Sequence, residues 1–115
     1  MIHYMNLHPG PFSMIAEGKK TIELRLLDEK RKMISAGDTL VFTNSQDHSS
    51  TIQCRVVNLH IFDNFADLYR ELPLDKCGYL THELQNALPE DMDIYYPADK
   101  QRQYGVVGIE FELIL

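Results

Sequence analysis

Lys20, Glu23 and Arg25 fall close together in residues 17–32, which read EGKKTIELRLLDEKRK. A lysine that has lost its proton is a base or a nucleophile. A carboxylate can orient an arginine, and a guanidinium fork matches phosphate. The stretch holds six of the chain's eleven Lys and Arg residues, in a protein whose formal net charge is −6. One outcome is a cationic cleft, with Lys20 and Arg25 on phosphate and Glu23 on a base edge or orienting Arg25. The other is an exposed strand face with a weak ion pair, worth about 0–1 kcal/mol. Lys30, Arg31 and Lys32 either extend a phosphate track or form a solvated helix face. For Lys20 to act as a base at neutral pH, burial or nearby cations must lower its pKa; Lys19 and Arg25 would help and Glu23 would oppose.

A second candidate patch is YYPADKQRQYG, in which Tyr95, Tyr96 and Tyr104 bracket Lys100 and Arg102. Rings interleaved with cations suit single-stranded nucleic acid, because bases stack and phosphates pair. Tyrosines flanking a loop also serve as anchors onto a core. Between residues 63 and 93 there are eight acids against Arg70 and Lys76, which is either a solvated face or an adaptor surface for another protein.

Other chemistry finds no motif. The histidines at 3, 8, 48, 60 and 82 have no metal-ligand spacing, so no metal is expected. There is no P-loop, GxGxxG or Gly-x-Ser-x-Gly, and no cofactor is expected. Cys77 precedes Gly78 without an assignable histidine partner. Cys54 and Cys77 form no C-x-x-C pair. With no secretion signal they read as reduced thiols in a cytoplasm. No run of 18 apolar residues suggests a membrane span. An acidic chain is not drawn to nucleic acid or membrane by its bulk charge, which leaves room for a local basic site.

The elements that would position these residues follow from periodicity. HYMNLH alternates as a strand with His3, Met5 and Leu7 on one side. Pro11, Phe12, Ile15 and Ala16 mark a helix that Gly18 stops. In TIELRLL a strand sends Ile22, Leu24 and Leu26 to the core and Thr21, Glu23 and Arg25 together to the other face. Asp28 caps a short turn through Ile34, and Gly37-Asp38 leads into the strand TLVFTN. NSQDHSS reads as a polar loop and TIQCRVVNLHIF as a long strand bent midway. Phe65, Leu68, Tyr69 and Leu72 make an amphipathic helix capped by Asp63 or Asn64. Residues 73–96 read as further helix broken at Pro89, and PADKQRQYG as a loop. VVGIEFELI closes the chain as a strand, with Val107, Ile109, Phe111 and Leu113 inward. The sum is one α+β domain over residues 1–115, a small, mostly antiparallel, barrel-like sheet with flanking helices, expected to be a monomer. Its predicted core includes Ile22, Leu24, Val41, Val56, Ile109 and Phe111.

These residues resemble a known family, the ASCH domain, whose fold is a PUA-like β-barrel. The resemblance rests on Gly18-Lys19-Lys20-Thr21-Ile22-Glu23-Leu24-Arg25 after a first helix and on Gly37-Asp38 before a strand. The helix FADLYREL, the Tyr95-Tyr96 pair and the closing Tyr104-Gly105-Val106-Val107-Gly108-Ile109-Glu110 add to it, so it spans nearly the whole chain. It implies a cleft beside the first helix and the next strand, suited to RNA or a nucleoside. Some members are amidohydrolases acting on N4-acetylcytidine. They use a lysine directly before a first threonine, a second threonine two residues on, and a glutamate from a later helix. Lys20 and Thr21 match the first two. Glu23 stands where the second threonine would be, and Glu71 and Glu83 are candidates for the glutamate. Other members are ribonucleases. The leading expectation is a module binding RNA or a nucleotide-like molecule through Lys19, Lys20, Thr21, Glu23, Arg25, Tyr96, Lys100, Arg102 and Tyr104. The alternatives are a hydrolase centred on Lys20 with Glu23, and a protein adaptor.

Overall fold

The structure, a computed structural model, describes residues 1–114. Five strands form one sheet: β1 (Ile2–Leu7), β2 (Ile22–Leu26), β3 (Thr39–Asn44), β4 (Asp47–Phe62) and β5 (Val106–Leu113). Their spatial order is β1-β3-β4-β5-β2. β1 runs parallel to β3, and the other neighbours are antiparallel. The 16-residue β4 pairs first with β3 and then with β5, and its register shifts between Val56 and Asn58. Such a bulge bends a strand, so the sheet curls into a PUA-like half-barrel. β1 and β2 are left as its two outer strands.

The curl encloses one apolar cluster and leaves a second outside. Met5, Leu7, Ile15, Leu40, Phe42, Cys54, Val56, Val107, Ile109 and Phe111 fill the inside. On the outer face of β2 and β5, Ile22, Leu24, Leu26 and Val106 meet Phe65, Leu68 and Tyr69 of α2 (Phe65–Glu71), with Cys77. β5 is therefore buried on both faces, and all four residues from Val106 to Ile109 are buried. A Cβ on Gly108 would lie 2.6 Å from Leu72 Cδ1 and 3.2 Å from Ile22 Cγ2, so glycine lets the end of α2 settle on the sheet.

The alternation predicted for β1 holds, with His3, Met5 and Leu7 buried. Ile22 and Leu24 are buried, but in the outer cluster instead of the barrel core, because β2 turns Glu23 and Arg25 to the inner face. Val56, Ile109 and Phe111 are inner-core residues as expected. Val41 is not. β3 turns Leu40 and Phe42 inward, and three consecutive apolar residues give no parity by themselves. The polar stretch after Asn44 is a loop only as far as Gln46. From Asp47 it is already β4, with the Asp47 carboxylate bonded to Ser49 and Ser50. Residues 73–96 form three separate 3-10 turns, Leu74–Cys77, Thr81–Asn86 and Pro89–Ile94, in place of longer helix. Pro73 precedes the first and Pro89 opens the third, and the glutamate and aspartate at 83 and 91 cap the backbone locally. The expected loop at 97–105 holds a helix, α3 (Ala98–Tyr104), which begins after Pro97 and ends at Gly105 with φ +73. Asn64 caps α2 by accepting from Asp67 N–H at 2.8 Å. Among the described residues no helix is long and apolar enough to cross a membrane.

Candidate functional site

Lys20 owes its place to how the first helix ends. α1 (Pro9–Ala16) closes with Gly18 N–H on the Ile15 carbonyl and Lys19 N–H on the Met14 carbonyl, while Gly18 has φ +76. That is a Schellman stop, which needs a left-handed residue where glycine stands. Lys20 N–H also reaches the Met14 carbonyl, at 3.1 Å. The Lys20 side chain then passes over Gly78. A Cβ on Gly78 would lie 3.4 Å from Lys20 Cδ and 3.6 Å from its Nζ, and Gly78 has φ +112.

β2 brings in the rest. Glu23 lies opposite Ile109 and Arg25 opposite Val107, so both charged side chains leave the sheet on the inner-core face. Lys20 Nζ is 2.8 Å from Glu23 Oε1, and Arg25 donates to Glu23 Oε2 from Nε at 2.8 Å. Arg25 Nη2 donates across the open seam to the Asn6 carbonyl of β1, at 3.1 Å. Lys20 and Glu23 are only 8% and 4% exposed. Burial by itself would raise the Glu23 carboxyl. The charges and hydrogen bonds of Lys20 and Arg25 outweigh it and hold the group below the ordinary carboxylate range. Burial likewise opposes the charge on Arg25, and Glu23 more than restores it. The three form a desolvated cation–anion–cation group.

This group is the floor of a cleft of about 790 Å³. Asn6, His8 and Met14 contribute one side of its lining, and the 3-10 turns contribute Tyr79, Glu83, Glu90, Asp91 and Met92. Tyr96 lines it too, with its ring stacked on Phe65 at 6.2 Å and its hydroxyl donating to the Leu24 carbonyl at 3.4 Å. Tyr79 donates to Asp91 at 2.7 Å and meets the Tyr69 hydroxyl at 2.7 Å, which clasps the ends of the 80–90 segment to α2. Cys77 also lines the cleft, and burial pushes its thiol up to about 12, so it stays protonated and is a poor nucleophile.

The nine residues expected to contact a ligand are divided. Lys20, Glu23, Arg25 and Tyr96 line the cleft. Thr21 does not share their face. It precedes β2, its backbone is held by Lys76 and Phe111, and it lines a separate depression with Glu71, Lys76, His60 and Glu110. The strand pleat begins only at Ile22, so alternation cannot be extended back to Thr21. Lys19 is exposed and pairs with Glu17 at 2.9 Å. Lys100 and Arg102 are exposed on α3, and Tyr104 packs against the outer apolar cluster. Of the two candidate glutamates, Glu83 shares the cleft with Lys20 and Glu71 does not. Tyr79, Glu90 and Asp91 carried no local signal, because the Tyr79–Asp91 clasp spans twelve positions.

The basic look of residues 17–32 is largely cancelled on the spot. Lys19, Lys20, Arg25, Arg31 and Lys32 each pair with an acid of the same stretch, namely Glu17, Glu23, Asp28 or Glu29. Asp28 also accepts from Arg31 N–H, as a cap should.

The ASCH domain family matches over residues 5–115. No curated protein matches the sequence. Among solved structures, the chain is similar to the crystal structure of hypothetical protein PH0355, at 28% identity and a TM-score of 0.81, covering 99% of this chain and 100% of that one. It is similar to the solution structure of protein PF0455 from Pyrococcus furiosus, at 28% identity and a TM-score of 0.71, covering 99% and 98%. An ASCH crystal structure from Zymomonas mobilis shares the fold at 13% identity and a TM-score of 0.65, covering 95% of this chain and 65% of that one.

Proposed function

Since this chain belongs to the ASCH domain family, with its PUA-like, RNA-binding type of fold, we propose that the cleft binds one nucleoside-sized group, free or presented by a single RNA strand. The observation that carries this reading is the buried Lys20–Glu23–Arg25 group at the floor of a tyrosine-lined cleft. A volume of about 790 Å³ suits a small ligand, since such sites span roughly 300–1,000 Å³. Tyr79, Tyr95 and Tyr96 line the cleft and offer ring faces on which a base can stack. An ammonium has three donors, and the Glu23 contact of Lys20 uses one, leaving donors for a carbonyl or ring nitrogen of the ligand. Glu23 has both oxygens engaged, so its part is to fix the two cations.

The test is calorimetric titration with cytidine and adenosine, beside anisotropy of labelled single-stranded RNA across a salt series. A nucleoside should bind, and Lys20→Ala should weaken it by about tenfold, the worth of a charged hydrogen bond. RNA should show a shallow salt slope, and Lys20→Ala should weaken RNA binding without changing that slope, since Lys20 meets the base and not a phosphate. Lys76→Ala, outside the cleft, should leave both unchanged. Equal losses in the two variants, or no binding by the wild type, would sink the reading.

A second reading is hydrolysis of a modified nucleoside. It is favoured by Lys20 and the Glu83 carboxylate lining the same cleft. Purified protein should then release cytidine from N4-acetylcytidine, and Lys20→Ala should abolish release. Absence of turnover with enzyme near the substrate concentration removes this reading and leaves binding.

A further inference from the structure

The cleft holds more carboxylate than its floor uses. Its lining contains two cations, Lys20 and Arg25, against four carboxylates, Glu23, Glu83, Glu90 and Asp91. The signs are sorted by depth. Lys20, Glu23 and Arg25 are buried or nearly so, and with Glu23 between two cations the floor is net positive. Glu83, Glu90 and Asp91 are exposed at the mouth, with no basic residue among the lining there. Glu83 accepts from Leu80 N–H, and Asp91 accepts from Tyr79 and Leu88 N–H. Glu90 makes no hydrogen bond or ion pair among the described residues.

A ligand bearing phosphate would bring its charge past these acids. A base with a fixed positive charge would meet the opposite sign there. It would also gain from the tyrosine rings, whose faces are negative and attract cations. The charged ring would sit among these acids, away from the net-positive floor, with an acceptor at its inner edge directed to Lys20, which is 8% exposed and has donors left over after Glu23. We infer that the cleft prefers a cationic nucleoside, one whose base is charged by alkylation of a ring nitrogen. The inference rests on the nucleoside-binding reading and adds the charge of the ligand.

The experiment compares matched pairs by calorimetry at neutral pH: 1-methyladenosine with adenosine, 3-methylcytidine with cytidine, and each neutral nucleoside with its 5′-monophosphate. The cation should bind about tenfold more tightly than its neutral parent, the size of a well-placed cation–ring contact. The monophosphate should bind more weakly than the nucleoside. Glu90→Gln should lower the cation-to-neutral affinity ratio by about two- to threefold, as expected for one partly solvated charge. Glu71→Gln, in the other depression, should leave that ratio alone, and melting temperatures will verify that both variants are folded. If cation and neutral parent bind alike, or Glu90→Gln leaves the ratio unchanged, the inference fails while the nucleoside reading stands. If only monophosphates bind, the inference fails and the mouth is not an electrostatic filter. If no nucleoside binds, both fall together.

Discussion

Arg25 and Asn6 meet across the gap between the outer strands: a guanidinium N–H from β2 reaches the Asn6 carbonyl of β1 at 3.1 Å. The same nitrogen, Nη2, lies 2.7 Å from Glu23 Oε2. One side chain therefore ties the charged floor of the cleft to the seam of the half-barrel. Removing it strands a buried carboxylate with a single partner. Arg25→Ala should lower unfolding free energy by about 3 kcal/mol, the usual result of breaking a buried pair from one side. Urea unfolding at neutral pH measures this, and a loss under about 1 kcal/mol would mean that the pair behaves as a surface one.

Glu23 should make acid stability depend on the cleft. Its folded pKa lies below the ordinary 4.5, so its contribution is complete above that value and is lost as pH falls through the lower folded one. Glu23→Gln should be less stable than wild type by about 3 kcal/mol at neutral pH. The difference should shrink on acidification below about 4.5, the ordinary value. Unfolding midpoints across that range decide it; a constant difference would show that the ionised carboxylate is not the source.

Asp38 should titrate separately, below the ordinary aspartate range. It accepts from His3 at 2.8 Å and from Ser35 N–H at 3.0 Å, and lies 3.4 Å from the Met1 amine. These bonds, that of His3 foremost, bring its pKa to about 2. The stabilisation is present above the ordinary 3.8 and disappears as pH falls through about 2. Asp38→Asn should melt lower than wild type at neutral pH and converge with it in strong acid. NMR titration of the carboxyl should give the same midpoint, and an ordinary aspartate value would contradict the geometry.

Gly78→Ala should disturb both stability and the cleft. With φ at +112, an L side chain is strained, at a cost of about 1–2 kcal/mol. The added methyl would only touch Lys20, at 3.4 Å from Cδ, so any shift of the lysine would come from the strained backbone beneath it. Nucleoside affinity should fall together with melting temperature. An unchanged Lys20 environment, read from the lysine side-chain NMR signals, would show that the glycine serves the turn alone.

Much of the fold is written in short-range pattern. The alternation of His3, Met5 and Leu7, the Gly18 stop and the Asn64 cap can each be read without tertiary information. The i,i+2 contact of Glu23 with Arg25 was legible because a strand puts both on one face. The Lys20–Glu23 pair was not, because residues three apart on a strand face oppositely, and only the turn outside β2 lets Lys20 come back. The inward positions of β3 cannot be read from Leu40-Val41-Phe42, because three consecutive apolar residues give no parity. The mouth of the cleft was least legible. Its acids are brought in by three separate 3-10 turns and a Tyr79–Asp91 bond that no local periodicity encodes.

A sheet that does not close keeps two outer strands, and their unpaired backbone groups are templates for strands of other molecules. Here side chains of the cleft occupy such groups. Arg25 holds the Asn6 carbonyl on β1, and the Tyr96 hydroxyl holds the Leu24 carbonyl on β2. The lining of the hollow is thus also a guard on its borders. Substitutions that widen the cleft by removing Arg25 or Tyr96 would uncover bare strand edges at the same stroke, and the enlarged site would come with a tendency to self-associate.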